Sequence, residues 1–159
     1  MQIEGGIFSS YNRVIICGGN MSSLLDELFY YLKISEDERL DKAFNTSKIL
    51  VGYLEPMFDD DKAYQAYVQI FSIFCCADGI CLHMEYDFYK KLTEGDITYD
   101  QFTEWMDKEY GEVDLNEFFE FAGRQDDEFN ETLKVFMLCV VTCDYSLHSD
   151  ELQMIDEFF

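Results

Sequence analysis

The chain has 159 residues, 48% of them apolar, with 15 Phe and 11 Tyr, which is enough to build one core and excludes a disordered acidic tail. Its formal charge of −22 excludes nucleic acid as a direct ligand, because phosphates would be repelled, and disfavours anionic membranes for the same reason. The charge is uneven: Leu92 to Phe159 hold 19 Asp and Glu against only Lys108, Arg124 and Lys134, a net −16.

Residues 1–19 contain four of the nine glycines and two short β-prone runs, Ile7–Ser9 and Arg13–Cys17, so a short hairpin or a lone strand is expected there. The opening MQIEGGIFSS has no cationic stretch and reads as no secretory signal. No run approaches the roughly 20 apolar residues of a membrane helix. Gly18-Gly19-Asn20 lacks a following P-loop lysine and reads as a turn. From Asn20 onward the pattern is helical. Ser23 and Asp26 open a helix reaching Tyr31 or Lys33. Ser35-x-x-Glu38 is a capping box. It starts a helix whose inner face is predicted as Leu40, Phe44, Ser47, Val51 and Leu54, and Pro56 ends it.

Asp59 to Asp61 favour the start of the next helix through its dipole. That helix, Lys62 to Ala77, is apolar nearly all round and is predicted to be central. Two shorter helices begin at Ile97-Thr98-x-x-Gln101-Phe102 and Val113-Asp114-x-x-Glu117-Phe118. Gly95 and Gly111 stand where the preceding helices would need a left-handed residue. A second central helix spans Asp127 to Cys143. The expected fold is mainly α. It is a compact single-domain multi-helix bundle over residues 1–159, with two pseudo-repeated central helices and a short N-terminal β-hairpin.

The two central helices end alike. Ala77-Asp78-Gly79-Ile80-Cys81 is followed by Glu85, and Cys143-Asp144-Tyr145-Ser146-Leu147 by Glu151, 66 positions later. A buried helix, an Asp turn and an amphipathic helix thus occur twice. This motif resembles the signature of the TerB-like (tellurite-resistance B) helical domains, over about residues 60–159. Tyr145 departs from it, because the family pattern has Gly there. The resemblance implies an all-helical fold, a cytoplasmic stress or defence setting, and a weakly held divalent cation on Asp78, Glu85, Asp144 and Glu151. The residues also admit a plainer account. Asp78 and Asp144 would accept N–H bonds of their own turns, and Glu85 and Glu151 would support the next helix.

The EF-hand shares the tail of this motif, but Phe74 and Cys76 fall where oxygen ligands belong. Zinc would draw on Cys76, Cys81, His83, Cys139, Cys143 and His148, whose spacings are irregular and contain no C-x-x-C. The six cysteines, with Cys17 and Cys75, read as reduced thiols that pack as small hydrophobes, which points to the cytoplasm. His83 and His148 read as exposed residues at helix starts. No G-x-S-x-G occurs, and Cys81 and His83 stand two apart, so they do not share a helix face. No enzyme is expected.

The remaining signal is acidic. From Glu104 to Glu120, carboxylates alternate with Trp105, Tyr110, Phe118 and Phe119. One-sign charge speeds capture of an oppositely charged partner, and rings supply hold. The expected function is a non-catalytic acidic binding protein that covers a basic protein surface. Its sharpest form is an inhibitor or immunity protein neutralising a toxin that acts on nucleic acid. Trp105, Asp107, Glu109, Tyr110, Glu112 and Asp114 are the expected contacts. The alternative is a TerB-like module that responds to divalent metal, with no other cofactor.

Overall fold

Eight helices and no strand make up residues 20–77 and 83–158, which are the residues that the computed structural model describes. They are α1 (Asn20–Lys33), α2 (Glu36–Leu54), α3 (Asp60–Cys75), α4 (His83–Thr93), α5 (Tyr99–Glu112), α6 (Leu115–Gly123), α7 (Asp127–Val141) and α8 (Ser149–Phe158). The hairpin predicted within residues 1–19 lies outside the described residues.

Local chemistry starts most of these helices. A free helix start leaves N–H groups without partners, and a short polar side chain accepts one of them. Ser35, Asp59, Thr98, Asp114 and Asp126 all do so, for the N–H groups of Glu38, Lys62, Gln101, Glu117 and Phe129 respectively. Thr98 and Gln101 complete a reciprocal capping box. The box predicted at Ser35 is only half formed, since the Glu38 carboxylate instead accepts the Tyr30 hydroxyl at 2.6 Å.

The core lies between α3 and α7. On α3, Tyr67, Val68 and Ile70 to Cys75 are buried, and on α7, Leu133 and Phe136 to Val141 are buried. The Phe136 ring sits 5.6, 6.2 and 6.4 Å from the rings of Tyr67, Phe71 and Phe74. Around this pair, α2 packs on both α7 and α3, α5 covers α3, and α4 joins α2 to α5. Helices α1 and α6 lie against α7.

The two central helices have similar caps. N-caps Asp59 and Asp126 have φ/ψ of −65/161 and −75/171, and C-caps Cys76 and Thr142 have −100/15 and −100/4. Glu85 and Glu151, 66 positions apart, are both buried, at 4% and 3% exposure.

Three sequence expectations require correction. The buried line of α2 is Arg39, Ala43, Thr46, Leu50 and Leu54, whereas Phe44 is exposed beneath the Lys48 ammonium. The face is turned by about one residue because Arg39 finds partners inside. Its guanidinium donates to the Tyr31 carbonyl at 2.6 Å and to Thr142 Oγ1 at 3.2 Å, and it lies 4.5 Å from the Tyr145 ring centroid. Neither Gly95 nor Gly111 takes a left-handed conformation. Glu94 does so, with φ 53, and α5 runs straight through Gly111.

Tyr145 is left-handed as well, with φ 60, at the point where the first copy of the motif has Gly79. That conformation costs an L-residue roughly 1–2 kcal/mol. A cation–π contact returns about 0.5–1 kcal/mol. The Arg39 stack therefore offsets a large part of the strain.

Arg39→Ala should lower stability by about 3 kcal/mol, from two lost charged hydrogen bonds and the stack. Arg39→Lys should recover less than half, because an ammonium lacks the planar fork. Urea midpoints at unchanged m-value measure both effects.

Candidate functional site

Helix α5 carries most of the expected contact residues, and it spreads them around its circumference. Residues four apart share a face, so Trp105 and Glu109 turn together toward α3. Glu109 is buried, at 4% exposure. Its carboxylate accepts from Gln65 Nε2 at 3.3 Å, Gln69 Nε2 at 3.2 Å and Trp105 Nε1 at 3.3 Å. The half-buried indole packs near Tyr64 and Tyr89. Glu109 is thus a satisfied interior carboxylate and leaves the expected contact set. Trp105 helps to hold it and offers only part of its surface. Tyr110 is half-buried, and burial pushes its phenol up. Asp107 is exposed on the outer side.

Glu112 and Asp114 meet a different set of neighbours. They stand at the mouth of a groove of about 510 Å³ between α3 and α6. Ala66, Gln69, Ile70 and Ile73 of α3 line it, together with Leu54 and Phe58, and Ile70 and Ile73 present only their edges. Phe118 and Phe121 of α6 form the wall, with ring centroids 6.5 Å apart and planes 27° from parallel. Glu112, Asp114, Glu117 and Glu120 all line it, against the single base Arg124. Sequence reasoning placed Glu117, Phe118 and Glu120 in the acidic stretch without singling them out. It read Ile70 and Ile73 as core alone. The available signal was α6 itself, whose sequence LNEFFEFAG is largely apolar although only Ala122 is fully buried.

No carboxylate from Glu94 to Glu128 takes part in an ion pair among the described residues. The pairs that form lie elsewhere, on Lys42, Lys62, Lys91, Lys134 and His148.

The second repeat turn gathers Asp144 and Glu151, with Glu85 close enough to push up the Cys143 thiol after burial has done most of that work. Asp144 is committed to its own turn. Its Oδ1 accepts from Ser146 N at 2.9 Å and its Oδ2 from Ser146 Oγ at 2.6 Å. Glu151 Oε2 accepts from His148 N at 2.8 Å, opening α8. Asp78 lies outside the described residues. Among the described residues, no group of three His, Cys, Asp or Glu side chains stands at metal-binding spacing.

Asp144, Ser146 and His148 resemble a hydrolytic triad in composition only. The nitrogen that faces Ser146 Oγ at 3.3 Å, His148 Nε2, also faces Asp144 at 3.7 Å. A triad needs the two contacts on opposite ring nitrogens. Cys75, Cys76, Cys139 and Cys143 are buried thiols, and burial pushes the Cys139 thiol up to about 12. Such thiols are poor nucleophiles and poor metal ligands. His83 stacks on Tyr99 at 3.6 Å.

No helix among the described residues is long and apolar enough to cross a membrane. Neither a protein-family model, nor a curated protein, nor a solved structure matches this chain.

Asp144→Ala should cost about 1 kcal/mol in urea unfolding, as loss of a turn-capping carboxylate does. Calorimetric titration with Ca²⁺, Mg²⁺, Mn²⁺ or Zn²⁺ should give no saturable heat. Submillimolar binding that disappears in Asp78→Asn with Asp144→Asn would assign these carboxylates to a cation instead.

Proposed function

We propose that this chain is a non-catalytic acidic binding protein that covers a basic surface of a protein partner. In its most specific form it is an inhibitor or immunity protein that neutralises a toxin acting on nucleic acid. One observation carries the reading. No carboxylate from Glu94 to Glu128 forms an ion pair among the described residues, and four of them, Glu112, Asp114, Glu117 and Glu120, border the groove between α3 and α6.

Charge of one sign held together costs stability, and that cost falls when a cationic surface arrives. The same field speeds the encounter. Toxins that cut or modify nucleic acid need cationic sites to hold phosphates. A row of carboxylates takes the place of those phosphates and so blocks the site. The half-buried rings of Phe118 and Phe121 then supply apolar area that excludes water and slows release.

A second reading, a TerB-like metal-responsive module, draws on the burial of Glu85 and Glu151 at matching points of the repeat. The calorimetry above decides it.

If a reading frame adjoining the gene of this chain encodes a toxin, that toxin is the test partner. Co-expression should restore growth that the toxin alone arrests. The triple variant Glu112→Lys, Glu117→Lys and Glu120→Lys keeps the Asp114 cap, and should slow association by about tenfold or more at low salt and flatten its salt dependence. Association rates and salt slopes equal to those of the unaltered chain would leave these residues as a solvated face only.

A further inference from the structure

We propose that the groove between α3 and α6 receives an amphipathic α-helix of the partner, apolar on one stripe and flanked by lysine or arginine. The proposal rests on the reading of the partner as a cationic protein and adds the element that it inserts.

The floor has helical spacing. Ala66, Ile70 and Ile73 fall at i, i+4 and i+7 along α3, so the groove follows about two turns, or roughly 10 Å of axis. A guest helix lays down anchors at the same intervals. Strand addition, the main alternative for an extended peptide, needs a sheet edge, and the described residues contain no strand. Ala66 is the small residue of that line, and it leaves room where a larger side chain would close the floor.

The wall selects for charge. Glu112 at the end of α5, Asp114 between the helices, and Glu117 and Glu120 of α6 line the groove beside Ala66, Gln69, Ile70 and Ile73, with Arg124 the one basic residue among the lining. A neutral or acidic helix would leave four carboxylates facing apolar surface or one another. A helix with Lys or Arg on both flanks of its stripe meets them and buries its stems over Phe118 and Phe121. A second copy of this chain is opposed by its own charge of −22.

The probe is a synthetic 14-residue Leu/Lys peptide whose leucines form one helical stripe. The control has the same composition, reordered so that no stripe forms. Fluorescence anisotropy measures affinity, and backbone amide NMR shifts locate the contact. The striped peptide should bind at least about tenfold tighter than the control and shift amides of α3 and α6. Ala66→Phe leaves the charge unaltered and should weaken the striped peptide by about tenfold or more. Ala66→Leu is the smaller plug if the larger one disturbs folding, and melting curves distinguish the two cases.

Equal affinity for both peptides, or unaltered binding by both plugged variants, overturns the helix-in-groove proposal. So does a self-associated chain that Ala66→Phe returns to monomer in sedimentation, since the groove would then belong to a second copy. Glu117→Lys with Glu120→Lys separates this from the broader reading. If that variant still weakens both peptides, the cationic partner stands without the inserted helix; if it changes neither, both fall.

Discussion

Two helices that are apolar on nearly every side must be covered on every side. Helices α3 and α7 are of this kind, and Phe136 locks them together through Tyr67, Phe71 and Phe74. The demand for cover sets the rest of the architecture. Helix α2 reaches across both, α5 shields α3, and α1 and α6 shield α7. Each covering helix turns an apolar stripe inward, while α1 and α2 also leave Leu25, Phe29, Phe44 and Ile49 exposed. The second half of the chain is rich in Asp and Glu and poor in bases, so the outer surface of its covering helices becomes anionic.

Helices α5 and α6 meet that demand to different degrees. On α5, Phe102 and Met106 disappear into the core at 0% exposure, and even Glu109 is drawn in by three donors. On α6, Phe118, Phe119 and Phe121 remain half-buried. The same apolar content that would seal a core helix here borders an open groove. This incomplete docking gives the anionic surface something besides charge to offer.

The sequence made the two central helices and the caps Ser35, Thr98 and Asp114 legible, for physical reasons. All-round apolarity leaves a helix no exposed side, and capping joins residues two or three positions apart. The phase of α2 was not legible. Counting apolar residues turns Phe44 inward and Arg39 outward, whereas burial of Arg39 depends on Tyr31 and on Thr142, 103 residues away. Glu109 misled in the same way, since its donors Gln65 and Gln69 stand on another helix. The glycines misled differently. Freedom to be left-handed is not a requirement to be so, and Glu94 takes that conformation beside Gly95. The groove needs the relative placement of α3 and α6, which no local pattern encodes; the apolar content of α6 and the small Ala66 are its traces in the sequence.

Tyr145 has a bearing on the order of assembly. A glycine sets a left-handed turn from local freedom alone. At Tyr145 that turn is supported by a guanidinium from α2, far away along the chain. Closing so long a loop is slow relative to forming local structure. Besides its local bonds through Asp144 and Glu151, the turn that launches α8 therefore draws on the docking of α2 on α7. Loosening α2 from α7 should then loosen the C-terminal helix with it.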